Sequence, residues 1–206
     1  MEVKSRIHDA AQIERFAKLI QSSSTLHVIF TIDRAKYGGT NKKERFLLCN
    51  SLTPEQFRQE VELLDFALRN EDGYFAFYST TNGRSKHEAE RLLLKRFMSR
   101  FVDNNQTREL DRELISAVRR ASAKTECLSF DLDDKKDLPE LLEDLKLEHI
   151  QPTIIETRGG YHVLVFEKCS GNLLREWSRD KKVHLGDIDC PIPGTYQADF
   201  PVKFID

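Results

Sequence analysis

No stretch of this 206-residue chain is apolar for long enough to span a bilayer, so it does not read as a membrane protein. Its first residues, "MEVKSRIHDAAQIERF", lack the uninterrupted apolar core and small-residue cleavage site of a secretory signal, and the expected compartment is the cytoplasm. There are only four cysteines, Cys49, Cys127, Cys169 and Cys190, far apart and without a Cys-x-x-Cys pair, which excludes a zinc knuckle and a disulfide framework. Three of them lie in or beside apolar runs, where a thiol serves as a small buried hydrophobe. The six histidines form no His-x-x-x-His or Cys/His cluster, so structural zinc has no support. Internal repeats, low-complexity tracts and linker-like composition breaks are also missing, which predicts one compact unit.

What is present is a composition of 39% hydrophobic and 32% charged residues, enough for a real core beneath a heavily solvated surface. The net charge of −2 hides an asymmetry. Residues 1–125 carry 22 Lys/Arg against 17 Asp/Glu, a surplus of five positive charges, whereas residues 126–206 carry 10 against 17, a surplus of seven negative ones. That division suits a protein that holds a polyanion with one half and gathers cations with the other, and it is equally the ordinary variation of a solvated surface.

Periodicity and punctuation divide the chain into alternating elements. "DAAQIERFAKLIQ" places Ile13, Phe16, Leu19 and Ile20 at helical spacing. "LHVIFTID" and "RFLLCN" read as a strand pair joined by the Gly- and Lys-rich loop 34–43, which either grips phosphates or forms a solvated hairpin tip. Thr53-Pro54-Glu55-Gln56 is a strong helix start, with a helix expected over 53–69, followed by a strand in "GYFAFYSTT". Ser85 and Glu88 repeat the capping logic for a helix through Phe101. On it Arg91, Lys95, Arg96 and Arg100 recur every turn opposite an apolar face of Leu92, Leu93, Phe97 and Phe101, so the basic side is either a phosphate stripe or the wet face of an amphipathic helix. A further helix is expected in "TRELDRELISAVRRAS", a strand in "TECLSFDLD", helices in "LPELLEDLKLE" and "NLLREWSRDKK", a hairpin in "PTIIETRGGYHVLVF" and a last strand in "FPVKFI". The mixture predicts an α+β fold, with helices on a partly antiparallel sheet.

Two places concentrate chemistry. In "LSFDLDD", Asp131 and Asp133 stand two apart on a strand, so they project on one side with bases about 6.6 to 7 Å apart. Such a pair is a natural site for Mg²⁺ or Mn²⁺, which relieves its mutual repulsion; the bland alternative is that the acids end the strand and cap the next turn. In "IIETRGGYHVLVF", a two-residue Gly159-Gly160 turn would set Arg158 across from Tyr161, Thr157 across from His162 and Ile155 across from Leu164. Thr157, Arg158, His162 and the open amides of Gly159 and Gly160 then form a candidate phosphate-binding group.

"LSFDLDD", "IIETRGGYHVLVF" and "IPGTYQADFPVKF" resemble, in order and spacing, the three signature regions of the archaeo-eukaryotic primase superfamily, the primase-polymerases of archaea, eukaryotes, plasmids and phages. The resemblance covers mainly residues 125–206; upstream, "FAFYSTTNGRS" is similar to a strand ending in Asn-x-Arg in some phage and plasmid members. It implies an RRM-like, mixed or antiparallel sheet with flanking helices, in a single catalytic domain over 1–206 with a basic part, 1–124, and a metal- and nucleotide-binding part, 125–206. Asp131 and Asp133 correspond to the Asp-x-Asp metal motif, and a third acid, Asp187 or Asp189, completes the site, with Asp187 preferred. Thr157, standing where the family has Ser, with Arg158, Gly159, Gly160 and His162, corresponds to the nucleotide-binding motif. The implied activity is template-dependent nucleotidyl transfer with Mg²⁺ or Mn²⁺ from NTPs or dNTPs, in a prokaryotic or phage-infected cell. Single-stranded or primer-template DNA would lie against Arg34, Lys36, Arg84, Arg91 and Lys95, and a replicative helicase or other replication proteins are the implied protein partners. With no zinc insertion or helicase domain, the chain is either a minimal member or a catalytic fragment. Two other readings remain open: a nucleotide- or nucleic-acid-binding module with the same fold and no catalysis, and a Mg²⁺-dependent phosphatase, because "CLSFDLDD" also resembles the first motif of haloacid-dehalogenase-type enzymes.

Overall fold

Local capping sets where helices begin. Thr53 Oγ1 accepts a hydrogen bond from the Gln56 amide at 3.2 Å, while Gln56 Oε1 accepts one from the Thr53 amide at 2.8 Å, a closed capping box with Pro54 at the first helical position. Ser85 Oγ accepts from the Glu88 amide at 3.2 Å and Ser170 Oγ from the Leu173 amide at 3.2 Å, each opening a helix in the same way.

The computed structural model describes residues 5–20, 25–40, 44–50, 53–102, 110–123, 126–181, 183–186 and 189–205. In chain order the elements are α1 (Ala10–Ile20), β1 (Thr25–Asp33), β2 (Glu44–Asn50), α2 (Pro54–Leu68), β3 (Phe75–Thr80), β4 (Arg84–Ser85), α3 (Lys86–Val102), α4 (Leu110–Arg120), β5 (Leu128–Leu132), α5 (Leu138–Leu147), β6 (Thr153–Glu156), β7 (Tyr161–Val165), α6 (Gly171–Arg175), β8 (His184–Gly186), β9 (Asp189–Pro191), β10 (Tyr196–Gln197), β11 (Phe200–Pro201) and β12 (Lys203–Ile205). The class is α+β, and every strand pairing among the described residues is antiparallel. No helix among them is long and apolar enough to cross a membrane.

There are two five-stranded sheets. The first runs β2-β1-β3-β9, with β4 also paired to β1. The second runs β12-β6-β7-β5-β8 and is built by the consecutive path β5-α5-β6-β7-α6-β8. Alternation along its strands sends Phe130, Leu132, Val163 and Val165 to one face, where they meet Leu141, Leu145, Leu173 and Trp177 of the helical segments. The opposite face sends Ile155 and Leu164 into a central core with Ile29, Phe75 and Phe77 of the first sheet, Phe16 of α1 and Phe57 of α2. The far face of the first sheet, with Val28, Phe30 and Tyr78, is covered by Ala89 of α3 and Val118 of α4. One core therefore draws on both halves of the chain, and β9 crosses over to pair with β3.

Asn82 fastens the two sheets together. It is buried, its Nδ2 donates to the Cys127 carbonyl at 2.7 Å, and its Oδ1 accepts from the Glu126 and Cys127 amides at 2.9 and 2.8 Å, just before β5 begins. Cys127, Cys169 and Cys190 are buried thiols.

Two elements differ from the expectation. "FPVKFI" is not one strand: at Val202 the side chain turns into the central core and the amide donates to the Thr195 carbonyl, so β11 pairs with β10 while β12 pairs with β6. "NLLREWSRDKK" is not a plain helix but α6 followed by a wide π-helical turn over Glu176–Asp180. This turn swings Trp177 into the core, with its indole N–H donating to Asp144 at 2.9 Å.

Candidate functional site

Asp131 lies on β5, the strand flanked by β7 and β8, and directly opposite it stands His162 on β7. Directly opposed residues of an antiparallel pair share a face, and His162 Nε2 is 3.3 Å from Asp131 Oδ1. His162 is buried, and that burial pushes its pKa below the usual imidazole value, with Asp131 and Asp133 pulling upward and Arg34 and Lys36 adding to the lowering. Burial thus favours the neutral ring, and its buried Nδ1 has no hydrogen-bond partner among the described residues. Asp133 follows immediately after the strand, is exposed, and makes no hydrogen bond or ion pair with a described residue. Asp134 takes the bland role: its Oδ1 accepts from the Lys136 amide at 3.0 Å and caps the short 3₁₀ turn Lys135–Asp137.

The turn between β6 and β7 corrects the expected register. Glu156 pairs with Tyr161 and Ile155 with His162, so the loop has four residues, 157–160, and Thr157 is not opposite His162. The physical reason is Thr157 itself: its amide donates to the Gly160 carbonyl at 3.0 Å, its hydroxyl lies 3.2 Å from the same oxygen, and it accepts from the Gly160 amide at 3.1 Å. These bonds close the wider loop and make Thr157 a turn-former. The Gly160 amide is therefore not open to an anion, and the Arg158 amide donates to Gln197 Oε1 at 2.9 Å; the Gly159 amide makes no hydrogen bond among the described residues. Gly160 permits close approach to β5, because a Cβ there would lie 1.8 Å from the Leu132 carbonyl oxygen. The Arg158 guanidinium is engaged by Asp199 at 2.7 Å.

The first sheet supplies the cations. Arg34 and Lys36, expected to contact the template, line the same cavity as the acids and the turn. Buried Asp33 shapes their loop: it accepts from the Thr40 and Tyr74 amides, both at 2.8 Å, and the missing side chain of Gly39 makes room for its carboxylate. Arg34 Nε donates to Tyr78 Oη at 2.9 Å and its guanidinium lies 4.7 Å from the Tyr78 ring centroid. Gln197 Nε2 donates to the same phenol oxygen at 3.0 Å, joining the loop to the 157–160 turn. Lys36 reaches over Gly159, its Nζ 3.5 Å from where a Cβ would stand.

Together these groups line a polar cavity of about 350 Å³ to which both sheets contribute. Asp131, Asp133, Thr157, Gly159, Gly160 and His162 line it from one side, and Arg34, Lys36, Tyr78, Asp189, Pro191 and Gln197 complete it. Carboxylates and cations meet around its glycine turn, with the Asp133 backbone against Gly160 and Lys36 over Gly159. Its acidic donors are hard oxygens, the kind that Mg²⁺ and Mn²⁺ take, and uncommitted Asp133 beside Asp131 fits such an ion. Among the described residues no three His, Cys, Asp or Glu side chains converge closely enough to form a ready metal cage. Asp187, the preferred third acid, lies outside the described residues. Asp189, the alternative, stands on β9 and is 3.6 Å from Arg119 of α4.

The remaining basic residues lie elsewhere. Arg91 and Lys95 are exposed on α3, whereas Arg96 is bonded to Glu113 of α4 at 2.7 Å and fastens the two helices. Arg84 is half-buried in β4 with its guanidinium toward the Ala121 carbonyl at 3.5 Å, and it is not on the exposed stripe. Tyr78 and Gln197 carried no local sign of their place at the site; each is brought there by contacts between segments distant in the sequence. Comparison with protein-family models, curated proteins and solved structures finds no match to this chain.

Proposed function

We propose that this chain is a template-dependent nucleotidyltransferase of the primase-polymerase kind, joining NTPs or dNTPs on single-stranded or primer-template DNA. The observation that carries the reading is a single cavity holding an Asp-x-Asp pair, a glycine turn with a buried histidine, and two cations from the opposite sheet. The strand order β6-β7-β5-β8, built along β-α-β-β-α-β, supports the RRM-like sheet implied by the primase resemblance.

In this reading Asp131 and Asp133, with Asp187 or Asp189, hold Mg²⁺ or Mn²⁺. Such ions, when bound, acidify an attacking 3′-hydroxyl and neutralise the leaving pyrophosphate. Lys36, Arg34 and the Gly159 amide bind the triphosphate, taking over the neutralising role first expected of Arg158 and His162. Neutral His162 orients Asp131 through Nε2. The 157–160 turn and Gln197 fix the distance between the phosphate end and the acid end, which in-line transfer requires. Arg91 and Lys95 on α3 offer a sequence-independent, salt-sensitive contact for the DNA backbone.

The test is incorporation of a labelled nucleotide on single-stranded DNA with Mn²⁺ and with Mg²⁺. Wild-type protein should incorporate label, and the folded Asp131→Ala/Asp133→Ala variant should not. Extension by the double variant refutes the assignment of the acids. The non-catalytic reading is favoured by the failure of three described acids to converge; nucleotide binding without incorporation under either metal would establish it. Template-free hydrolysis of an aryl phosphate would favour the phosphatase, although that reading leaves Lys36 and the glycine turn without a task.

A further inference from the structure

The turn that carries Gln197 into the polar cavity also lines a second one, of about 300 Å³, a volume at the lower end of what small-ligand sites occupy. Tyr196, Ala198 and Asp199 form one part of its wall, and Arg6 and Tyr74 another. Each tyrosine is held in place. Tyr74, 48% accessible, donates its amide to Asp33 at 2.8 Å, and Gly38, at a φ of 97°, lies so near that a Cβ would stand 3.0 Å from a carbon of the ring. Half-buried Tyr196 donates its amide to the Arg6 carbonyl at 2.8 Å, and the His8 ring stands edge-on to its own with centroids 5.1 Å apart. Neither phenol hydroxyl bonds to a described residue. Ala198, between Tyr196 and Asp199, has a φ of 60°, a conformation that a residue with a side chain adopts where its surroundings impose it. Both tyrosines are also close along the chain to walls of the polar cavity: Tyr196 precedes Gln197, and Gly38 lies two residues beyond Lys36.

Among the described residues the pocket wall carries one charge of each sign. Arg6 donates to the Leu68 carbonyl at 3.1 Å and the Glu71 carbonyl at 3.0 Å, with its guanidinium 5.3 Å from the Phe75 ring centroid, and Asp199 accepts from Arg158 at 2.7 Å. A bare phosphate would meet the Asp199 carboxylate and a guanidinium already engaged, and a bare cation would meet Arg6. The wall suits a neutral, flat group that offers a π-face to the rings and brings its own donors and acceptors to the two hydroxyls. A nucleobase is such a group.

We propose that this second pocket binds a nucleobase, with Tyr74 and Tyr196 stacking on an unpaired base whose phosphates stay outside the pocket. The base comes either from a single strand drawn past the polar cavity or from a free nucleotide, and the chemistry of recognition is the same for both. The inference rests on the proposed nucleotidyltransferase reading for the kind of ligand, and it adds a site that uses none of the acids, cations or turn residues of that reading. Because both rings are already fixed by their neighbours, little side-chain freedom is lost when the base enters.

The experiment uses 2-aminopurine, a base whose fluorescence falls when it stacks on an aromatic ring, in two probes: an oligo-dT carrying one central 2-aminopurine, and 2-aminopurine riboside triphosphate. The wild type should quench at least one of them on binding. Quenching of the strand alone identifies an unpaired base of single-stranded nucleic acid as the occupant, and quenching of the triphosphate identifies a free nucleotide. Tyr74→Leu and Tyr196→Leu should each lose the quenching and bind the quenched probe about five-fold or more weakly, while Tyr74→Phe keeps most of both. Affinity for inorganic tripolyphosphate, which has no base, should be the same in all of them, a result that general damage to the fold would not give. Tyr74→Leu, at a half-exposed position, carries the test if Tyr196→Leu melts early. A wild type that binds both probes without quenching either overturns the inference, as do quenching and affinity that persist unchanged in the two leucine variants. If neither probe binds, the nucleotidyltransferase reading falls with it. If the Asp131→Ala/Asp133→Ala variant still incorporates nucleotide while the leucine variants lose quenching, the assignment of the acids falls and the base pocket stands.

Discussion

Replacing Gly160 with alanine while separately replacing its neighbour Gly159 tests the contact between the phosphate-facing turn and the acid-bearing strand. A Cβ on Gly160 meets the Leu132 carbonyl oxygen at 1.8 Å and the Asp133 Cα at 3.2 Å; these are backbone atoms that cannot rotate aside. Restoring ordinary contact of about 3.4 Å requires the turn to retreat from β5 by roughly 1.6 Å, and forcing a methyl into such a packed position costs about 1 to 3 kcal/mol. For a chain of this length that corresponds to a fall in Tm of roughly 2 to 12 °C. A Cβ on Gly159 meets only the flexible Lys36 Nζ at 3.5 Å, so Gly159→Ala should stay within about 0.5 kcal/mol of wild type. The assays are thermal melts and urea titrations, followed by nucleotide titration of each folded variant. Gly160→Ala should also lose nucleotide affinity, because the retreat separates the turn from Asp133. Equal melting temperatures for the two variants would refute the close approach and with it the shared cavity.

His162 gives a pH signature. Its folded pKa is depressed by burial, so the unfolded state binds the extra proton, and stability should fall as pH drops below about 6.5 by at most about 1.4 kcal/mol per pH unit. Urea midpoints from pH 8 to 5 should show a loss that shrinks in His162→Gln, and identical profiles would remove the buried, neutral histidine. Lys36→Ala and Arg34→Ala should each weaken triphosphate binding several-fold with little change in affinity for DNA; calorimetry showing the reverse would return both residues to the template surface. Asn82→Ala strands the buried amide of Cys127 and its carbonyl, and should cost about 3 kcal/mol by urea unfolding. A loss under about 1 kcal/mol would mean that Asn82 does not fasten the two sheets.

Sequence by itself determined what depends on neighbours in the chain. Thr53 and Ser85 marked helix starts because capping is a contact over three residues, and the period-2 runs around Phe130 and Val163 marked strands because burial on one face demands alternation. "LSFDLDD" and "TRGGYH" drew notice as chemistry-bearing segments, since paired acids and a glycine turn have meaning within a few residues. The register of the β6–β7 turn is local too, yet composition points the wrong way: two glycines suggest a two-residue loop, whereas the Thr157 hydroxyl closes a four-residue one.

Tertiary structure alone decided which groups share a cavity. Pairing of β5 with β7 sets His162 against Asp131, crossing of β9 to β3 brings Asp189 to the cavity, and buried Asp33 bends its loop so that half-buried Arg34 and exposed Lys36 line that cavity too. No local pattern encodes these meetings. They follow from the burial of Ile155, Leu164, Phe75 and Phe77 in one core between the sheets, and the strength of that burial depends on the whole chain rather than on any segment of it.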